Sequence, residues 1–324
     1  MVAMPLVDKR FKIAAMYRNG SAAEHRGASR RRWAYVLLLT APAMFAGNQV
    51  TARALEGSIP ANALAFWRWA IAALIMVLIT GRELWAERKA LAEEWPVLAV
   101  LGFLGVVVCG PPVYIAGATT SATNIALIYA MSPILIVLAS TVGFRERMTL
   151  KRAFGIALAV AGVLVVVAKG DPGIVARLAF VPGDLWVAFA VLGWSIYVLI
   201  LQHRSSRLSA PARFTAICVF GVLALLPFYL WEAATGPTIA FDGRSIAAVL
   251  FLALVPAVGA YQAYGYAQRV LGPGPTSLGM YLGPIYVALI AYLTIGEPIR
   301  AYHWIGGALI LTGLWHAVGT PSRR

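Results

Sequence analysis

"GFRERMTLKRAFG", residues 143–155, sets five charges, four of them basic, between two strongly apolar stretches. Advanced by 151 positions the chain reads "TIGEPIRAYHWIG", residues 294–306. This register needs no gap, and it superposes Pro133 on Pro284, Glu146 on Glu297, Gly155 on Gly306 and Gly162 on Gly313. Between Leu127 and Gly162 it gives nine identities in 36 positions. Apolar composition inflates chance matches of Leu, Ile and Ala, but paired prolines, glutamates and spaced glycines identify a duplicated unit. The basic residues did not follow. Arg145, Arg147, Lys151 and Arg152 correspond to Gly296, Pro298, Tyr302 and His303.

Composition supplies the reason. Of 324 residues 60% are hydrophobic and 12% charged, about half the charge of an ordinary globular chain, which places the protein in a bilayer. Apolar segments recur at about 34–54, 61–80, 96–116, 122–142, 153–168, 184–201, 212–231, 246–267, 276–295 and 301–318. Each is close to the roughly 20 residues that cross a hydrocarbon layer as a helix, the shortest with basic ends able to snorkel. The chain therefore reads as all-α, with ten transmembrane helices. Residues 1–33 read as a disordered basic cytoplasmic tail, 34–168 as the first five-helix repeat and 184–318 as the second.

Orientation follows from Lys and Arg. With the N-terminal tail inside, that face carries 21 of them, and the opposite connections carry only Lys169, Arg177, Arg244 and Arg300. Five is odd, so the second repeat enters from the other side and the turn after its fourth helix emerges outside. There its basic residues would misorient the helices. The repeats are inverted, the N and C termini are cytoplasmic, and the net charge of +14 reflects the inside-facing loops rather than nucleic-acid binding. Cys109 and Cys218 lie in apolar segments without metal-ligand spacing and read as packing residues; no metal or cofactor site is expected.

Inverted halves opening the midplane to each side in turn are a transporter's logic. Four stretches carry a family resemblance: "ANALAFWRWAIAAL" (61–74), "TSATNIALIYAMSPILIVLASTVGFRERMTLKRAFGIALAVAGVLVV" (120–166), "GDLWVAFAVLGWSIYVL" (183–199) and "GPIYVALIAYLTIGEPIRAYHWIGGALILTGL" (283–314). With these the chain resembles the drug/metabolite transporter superfamily, specifically the EamA-type permeases, over about residues 34–318. The resemblance implies a bacterial inner-membrane permease with a small-molecule substrate, often an exporter of amino acids or other small metabolites. It fixes no oligomeric state, a monomer included.

Candidate working residues are few. Arg68 and Arg53 are the only formal charges well inside apolar segments, at a cost of about 2.5–3.5 kcal/mol each at a helix centre. Arg68 reads either as a ligand for an anionic substrate group or as an anchor to helix carbonyls, and Arg53 as a snorkelling residue. Asn48, Gln49 and Asn124 are polar groups within spans, suited to a substrate or to another helix. Tyr114, Tyr129, Trp194, Tyr197, Tyr261, Tyr264 and Tyr281 lie too deep for all to be interfacial, and together suggest an aromatic cavity for a partly apolar cargo. Pro133, Pro284, Pro112 and Pro256 fall mid-segment, as flexing points or static kinks. Gly155, Gly162, Gly306 and Gly313, seven apart in each repeat, read as close-packing faces, and Glu146 and Glu297 as structural turn residues.

Asp184 reads as the cap of the sixth segment, and His203, His303 and His316 sit near ends. No carboxylate lies deeper, so the sequence favours facilitated diffusion or exchange over a midplane proton relay. The chain lacks GxxxxGK[ST], HExxH and GxSxG, which weighs against an ATP-driven pump and an intramembrane enzyme. A channel or a non-transporting membrane scaffold is the other reading.

Overall fold

In the computed structural model the described residues are 6–55, 57–144, 149–171, 173, 181–236, 242–272, 276 and 279–318. They form helices and no strand. Ten spans follow in order: α1 (Leu6–Ala54), α2 (Ala61–Ala86), α3 (Arg88–Gly117), α4 in two pieces (Ala122–Tyr129 and Ser132–Phe144), α5 (Leu150–Val167), α6 (Pro182–His203), α7 (Ala210–Thr235), α8 (Gly243–Leu271), α9 (Gly283–Ile295) and α10 (Ala301–Val318). The spans anticipated from hydropathy are all present, most running a few residues further at one or both ends, while α9 begins at Gly283 rather than at 276.

One stretch differs. The helix of α1 begins at Leu6 and runs through most of the segment read from composition as a disordered tail. Ala, Met, Arg and Lys are good helix formers, and extending an existing helix requires no new nucleus.

The inverted repeat is written in the packing. Gly162 on α5 faces Gly306 on α10, and Gly313 on α10 faces Gly155 on α5; shifting each residue by 151 exchanges one pair for the other. A Cβ on Gly162 would lie 2.7 Å from the Gly306 carbonyl oxygen, and one on Gly313 would lie 2.5 Å from that of Gly155. The glycines therefore let the two backbones touch. Other helix pairs obey the same two-fold exchange: α1 with α8 matches α6 with α3, and α2 with α8 matches α7 with α3. Both α3 and α8 also carry a π-helical turn, at Phe103–Val108 and Ala253–Gly259, in the same register. Across those two turns the register keeps one identity, Val107 with Val258, too little to announce it.

Three of the four candidate flexing prolines mark breaks between helical pieces rather than kinks within one. Pro133 follows the interruption after Tyr129, Pro284 opens α9, and Pro112 opens the last piece of α3 behind Gly110. A proline in a first helical turn costs no hydrogen bond, because that N–H has no intrahelical partner. Pro256 lies inside the π turn of α8.

Helix starts are capped across the repeats. The α2 N-terminus follows Pro60, which offers no side-chain cap. Glu232 of α7 does this instead, accepting from the Asn62 N–H at 3.1 Å, the Asn62 amide at 2.9 Å and the Ala63 N–H at 2.8 Å. Likewise Glu297 accepts from the Ala122 and Thr123 N–H groups at 3.0 and 3.2 Å, so it caps α4 of the other repeat rather than a neighbour in sequence. Its counterpart Glu146 lies outside the described residues. Asp242 caps its own helix, and the Ser245 N–H at 2.8 Å holds this exposed carboxyl below the usual carboxylate range. Glu232→Ala is expected to lower stability by about 1–2 kcal/mol, since three donors lose their shared acceptor together. A thermal-unfolding series in detergent, with Glu232→Gln falling between the two, is the check.

The outer surface is apolar. Leu78, Leu150, Leu293 and Trp85 are more than two-thirds exposed, a face that only lipid covers well. Exposed tryptophans collect at both ends, Trp33, Trp85, Trp95 and Trp315 at one and Trp231 and Trp304 at the other, as expected of interfacial belts.

Candidate functional site

Arg68 stands two turns into α2 and is 5% exposed. One nitrogen, Nη1, donates to Tyr114 Oη at 2.7 Å and to Asn48 Oδ1, while Tyr114 Oη donates to Asn48 Oδ1 at 2.8 Å. Three helices, α1, α2 and α3, thus meet at one guanidinium. Its carbon lies 4.8 Å from the centre of the Trp69 ring, within cation–π range. No carboxylate pairs with it among the described residues, and its Nε is buried with no partner there. The charge is held by neutral oxygens and an aromatic face, with donor capacity to spare.

Beside it the rings converge. Tyr261 of α8 stacks on Phe214 of α7, centroids 4.9 Å apart, and meets Trp69 and Phe45 edge-on at 6.2 and 5.1 Å. Trp69, Tyr197, Phe214 and Tyr261 wall a narrow central cavity together with Gly105 and Cys218. In this conformation it has room for about one water molecule, so the rings close on one another. Both repeats contribute to the wall. Gly105 is the close-approach point, since a Cβ there would come within 3.3 Å of the Tyr197 ring.

The structure brings together some of the residues singled out in the sequence and disperses others. Asn48, Arg68, Tyr114, Tyr197 and Tyr261 are at or next to the cavity, and Tyr129 packs partly buried against the same core. None of the hydrogen bonds of the Arg68 cluster involves half-buried Gln49. Trp194 stacks on the far side of Tyr197, at 5.1 Å, in a separate cluster with Leu98 and Leu101. Tyr281 packs against the α5–α10 seam, and Tyr264 pairs with Thr276. Arg53 donates to the Gly117 carbonyl at 2.9 Å, closing the end of α3. Trp69 and Phe214, which the sequence reading passed over, wall the cavity. Trp69 was legible only as the residue after Arg68, and Phe214 carries no sequence signal beyond being aromatic.

Asn124 belongs to a different group. His303 Nε2 lies 3.1 Å from Asn124 Oδ1, Asn124 Nδ2 donates to Thr120 Oγ1 at 3.3 Å, and Thr120 donates to Asp184 Oδ1. Asp184 does not cap α6, whose first turn has no side-chain cap; it reaches across to the connection between α3 and α4 instead.

Comparison with known proteins agrees with this architecture. The family described as the EamA-like transporter family matches residues 32–168 and again 181–318. The chain is 25% identical over 289 residues to the uncharacterized transporter YyaM of Bacillus subtilis, covering 88% of this chain and 93% of that one. It is 26% identical over 276 residues to the probable terminal-alkyne amino-acid exporter of Streptantibioticus cattleyicolor, covering 81% and 88%. Among solved structures, a crystal structure superposes with a TM-score of 0.62 at 21% identity, over 91% of this chain and all of that one, which shows a shared fold.

Proposed function

The chain belongs to the EamA-like transporter family and is a multi-pass membrane transporter, and from that premise we propose that it exports small amphipathic carboxylates, amino acids foremost, by alternating access. The observation that carries this reading is Arg68: a buried guanidinium that, among the described residues, has no counter-charge and no partner for its Nε, with an aromatic wall beside it. A carboxylate supplies the missing charge and the rings suit an apolar side chain. The amino-acid exporter among the relatives points to the same cargo class. The closed cavity is the state between the two openings, each reached when one repeat rocks against the other.

The transporter sits in a bacterial inner membrane with both termini in the cytoplasm. Proteoliposomes preloaded with labelled amino acids, an alkynyl amino acid among them, are expected to show saturable efflux driven by the solute gradient without ATP. Step-like unitary currents would instead support a channel, and no flux of any amino acid would remove the cargo assignment. Single cysteines at positions 145 and 300 are expected to react with impermeant thiol reagents from opposite sides. Labelling of both from one side would end the inverted-insertion reading.

A further inference from the structure

Among the described residues one buried carboxylate serves neither the cavity beside Arg68 nor a helix cap. Asp184 is 3% exposed, in the first turn of α6. Its Oδ1 accepts from Thr120, and its Oδ2 has no hydrogen-bond partner among the described residues. The Thr120 hydroxyl accepts in turn from Asn124, and Asn124 from His303. His303 Nδ1 accepts the Arg300 backbone N–H at 3.1 Å, which leaves the imidazole proton on Nε2 and fixes the direction of the whole chain. Three side chains, His303 of α10, Asn124 of α4 and Thr120 of the α3–α4 connection, thus donate in line toward one oxygen of Asp184. The other oxygen is buried and receives no donor among the described residues.

The site lies on the seam between the repeats. Thr119, Thr120 and Asn124 belong to the first repeat; Asp184 and His303 belong to the second. The Gly183 N–H donates to Thr119 Oγ1 at 2.9 Å, and a Cβ on Gly183 would lie 2.6 Å from the Ala116 carbonyl oxygen, so the start of α6 presses directly on the first repeat. The ionisable groups facing Asp184 from the surrounding elements are Lys169 after α5, exposed to solvent, and Tyr302 on α10; Glu297 and Arg300 act on His303. Asn124 also acts on the Asp184 carboxyl, but no group among the described residues lies within hydrogen-bond distance of Oδ2.

A buried anionic oxygen with no donor is far costlier than a buried neutral acid, whose single O–H is the only group left over. Closed, the site favours the acid. When the repeats part at this end, water reaches Oδ2 and the carboxylate becomes tolerable. We propose that Asp184 Oδ2 is a proton-binding site, and that through it the opening of this end of the transporter is linked to proton release. The O–H bond forms with a proton taken from water at this end and breaks to return that proton there, with no oxidant, metal or second reactant. The proposal rests on the alternating-access reading but needs no cargo. A difference of one bound proton between the closed and open states changes their ratio by up to about tenfold per pH unit.

The test is infrared titration of the full chain, without substrate, in liposomes of phosphatidylethanolamine and phosphatidylglycerol between pH 5 and 8.5. The expected result is a protonated-carboxyl carbonyl band that Asp184→Asn removes and that the exposed-site control Asp171→Asn leaves in place. Thr120→Val, which deletes the donor to Oδ1, is expected to strengthen the band at a given pH. Nitroxides at Ser58→Cys and Gly243→Cys, one on each repeat at this end, are expected to gain a longer distance as pH rises in the otherwise native chain and not in Asp184→Asn. A carbonyl band unaffected by Asp184→Asn, or no such band at any pH, overturns the proposal. If Asp184→Asn does not reconstitute, a band that Thr120→Val leaves unchanged overturns it equally. Because none of these readings involves cargo, a positive titration stands even where amino-acid efflux is absent.

Discussion

Gly162→Leu is expected to leave little folded protein, with a loss of more than about 3 kcal/mol in stability. The reason is geometric. At this position a first side-chain carbon would lie 2.7 Å from the Gly306 carbonyl oxygen and 2.9 Å from the Ile310 backbone nitrogen, both rigid helical backbone that no rotamer change can move. α5 and α10 would have to separate along their whole contact, exposing the buried cluster of Leu127, Ile134, Ala159, Val166, Ile310 and Leu314. Gly162→Ala strains the same contact less, at about 1–3 kcal/mol. Two-fold exchange adds a sharper expectation: the corresponding residue, Gly313→Leu, should fail to the same degree as Gly162→Leu. Gly243→Ala, where an added carbon meets nothing within 4 Å, should behave as the native chain. Size-exclusion profiles and thermal midpoints in detergent decide this. A monodisperse, normally stable Gly162→Leu protein would mean that the seam is not built on backbone contact.

These glycines were legible in the sequence because a gapless register preserved them in both halves, while apolar length displayed the ten spans and loop charge their inversion. Apolar length and loop charge are properties of single segments, so they survive without any knowledge of neighbours. Contacts between segments do not. Glu232 sits 170 residues from the helix start it caps, and nothing near Asn62 or Ala63 signals that their N–H groups lack a local partner except the proline before them. Asp184 looked like an ordinary first-turn acid because position alone suggests a cap; only the fold shows its carboxyl turned toward Thr120. Asn124 and His303, 179 residues apart, were read separately as a span amide and an end histidine, yet they share one hydrogen bond. The candidate rings show the same division. Their depth was readable, but which of them face one another depends on helix rotation, and Tyr264 and Tyr281 turn toward Thr276 and the α5–α10 seam rather than the cavity.

Arg68→Ala is expected to lower efflux of amino acids by about 10- to 100-fold while leaving stability nearly unchanged. The transport loss follows from a charge-assisted hydrogen bond to a carboxylate, worth about 1.5–3 kcal/mol, at about 1.4 kcal/mol per tenfold. Stability moves little because two effects oppose. Removing the guanidinium leaves Asn48 Oδ1 and Tyr114 Oη still bonded to each other at 2.8 Å, and it relieves the roughly 2.5–3.5 kcal/mol of holding a cation at a helix centre. An anchoring role predicts the reverse, a fall in thermal midpoint with activity lost only as folded protein is lost. Among the described residues Arg68 donates to two side-chain oxygens and to no helix carbonyl. Arg68→Lys keeps the charge but not the planar fork, so it should recover part of the efflux and lose selectivity between an amino acid and its ester. The decisive comparison is the native chain with an amino acid against the corresponding amine that lacks the carboxylate. Equal efflux of the two, or an Arg68→Ala protein as active as the native one, would show that the buried cation does not read the cargo's negative charge.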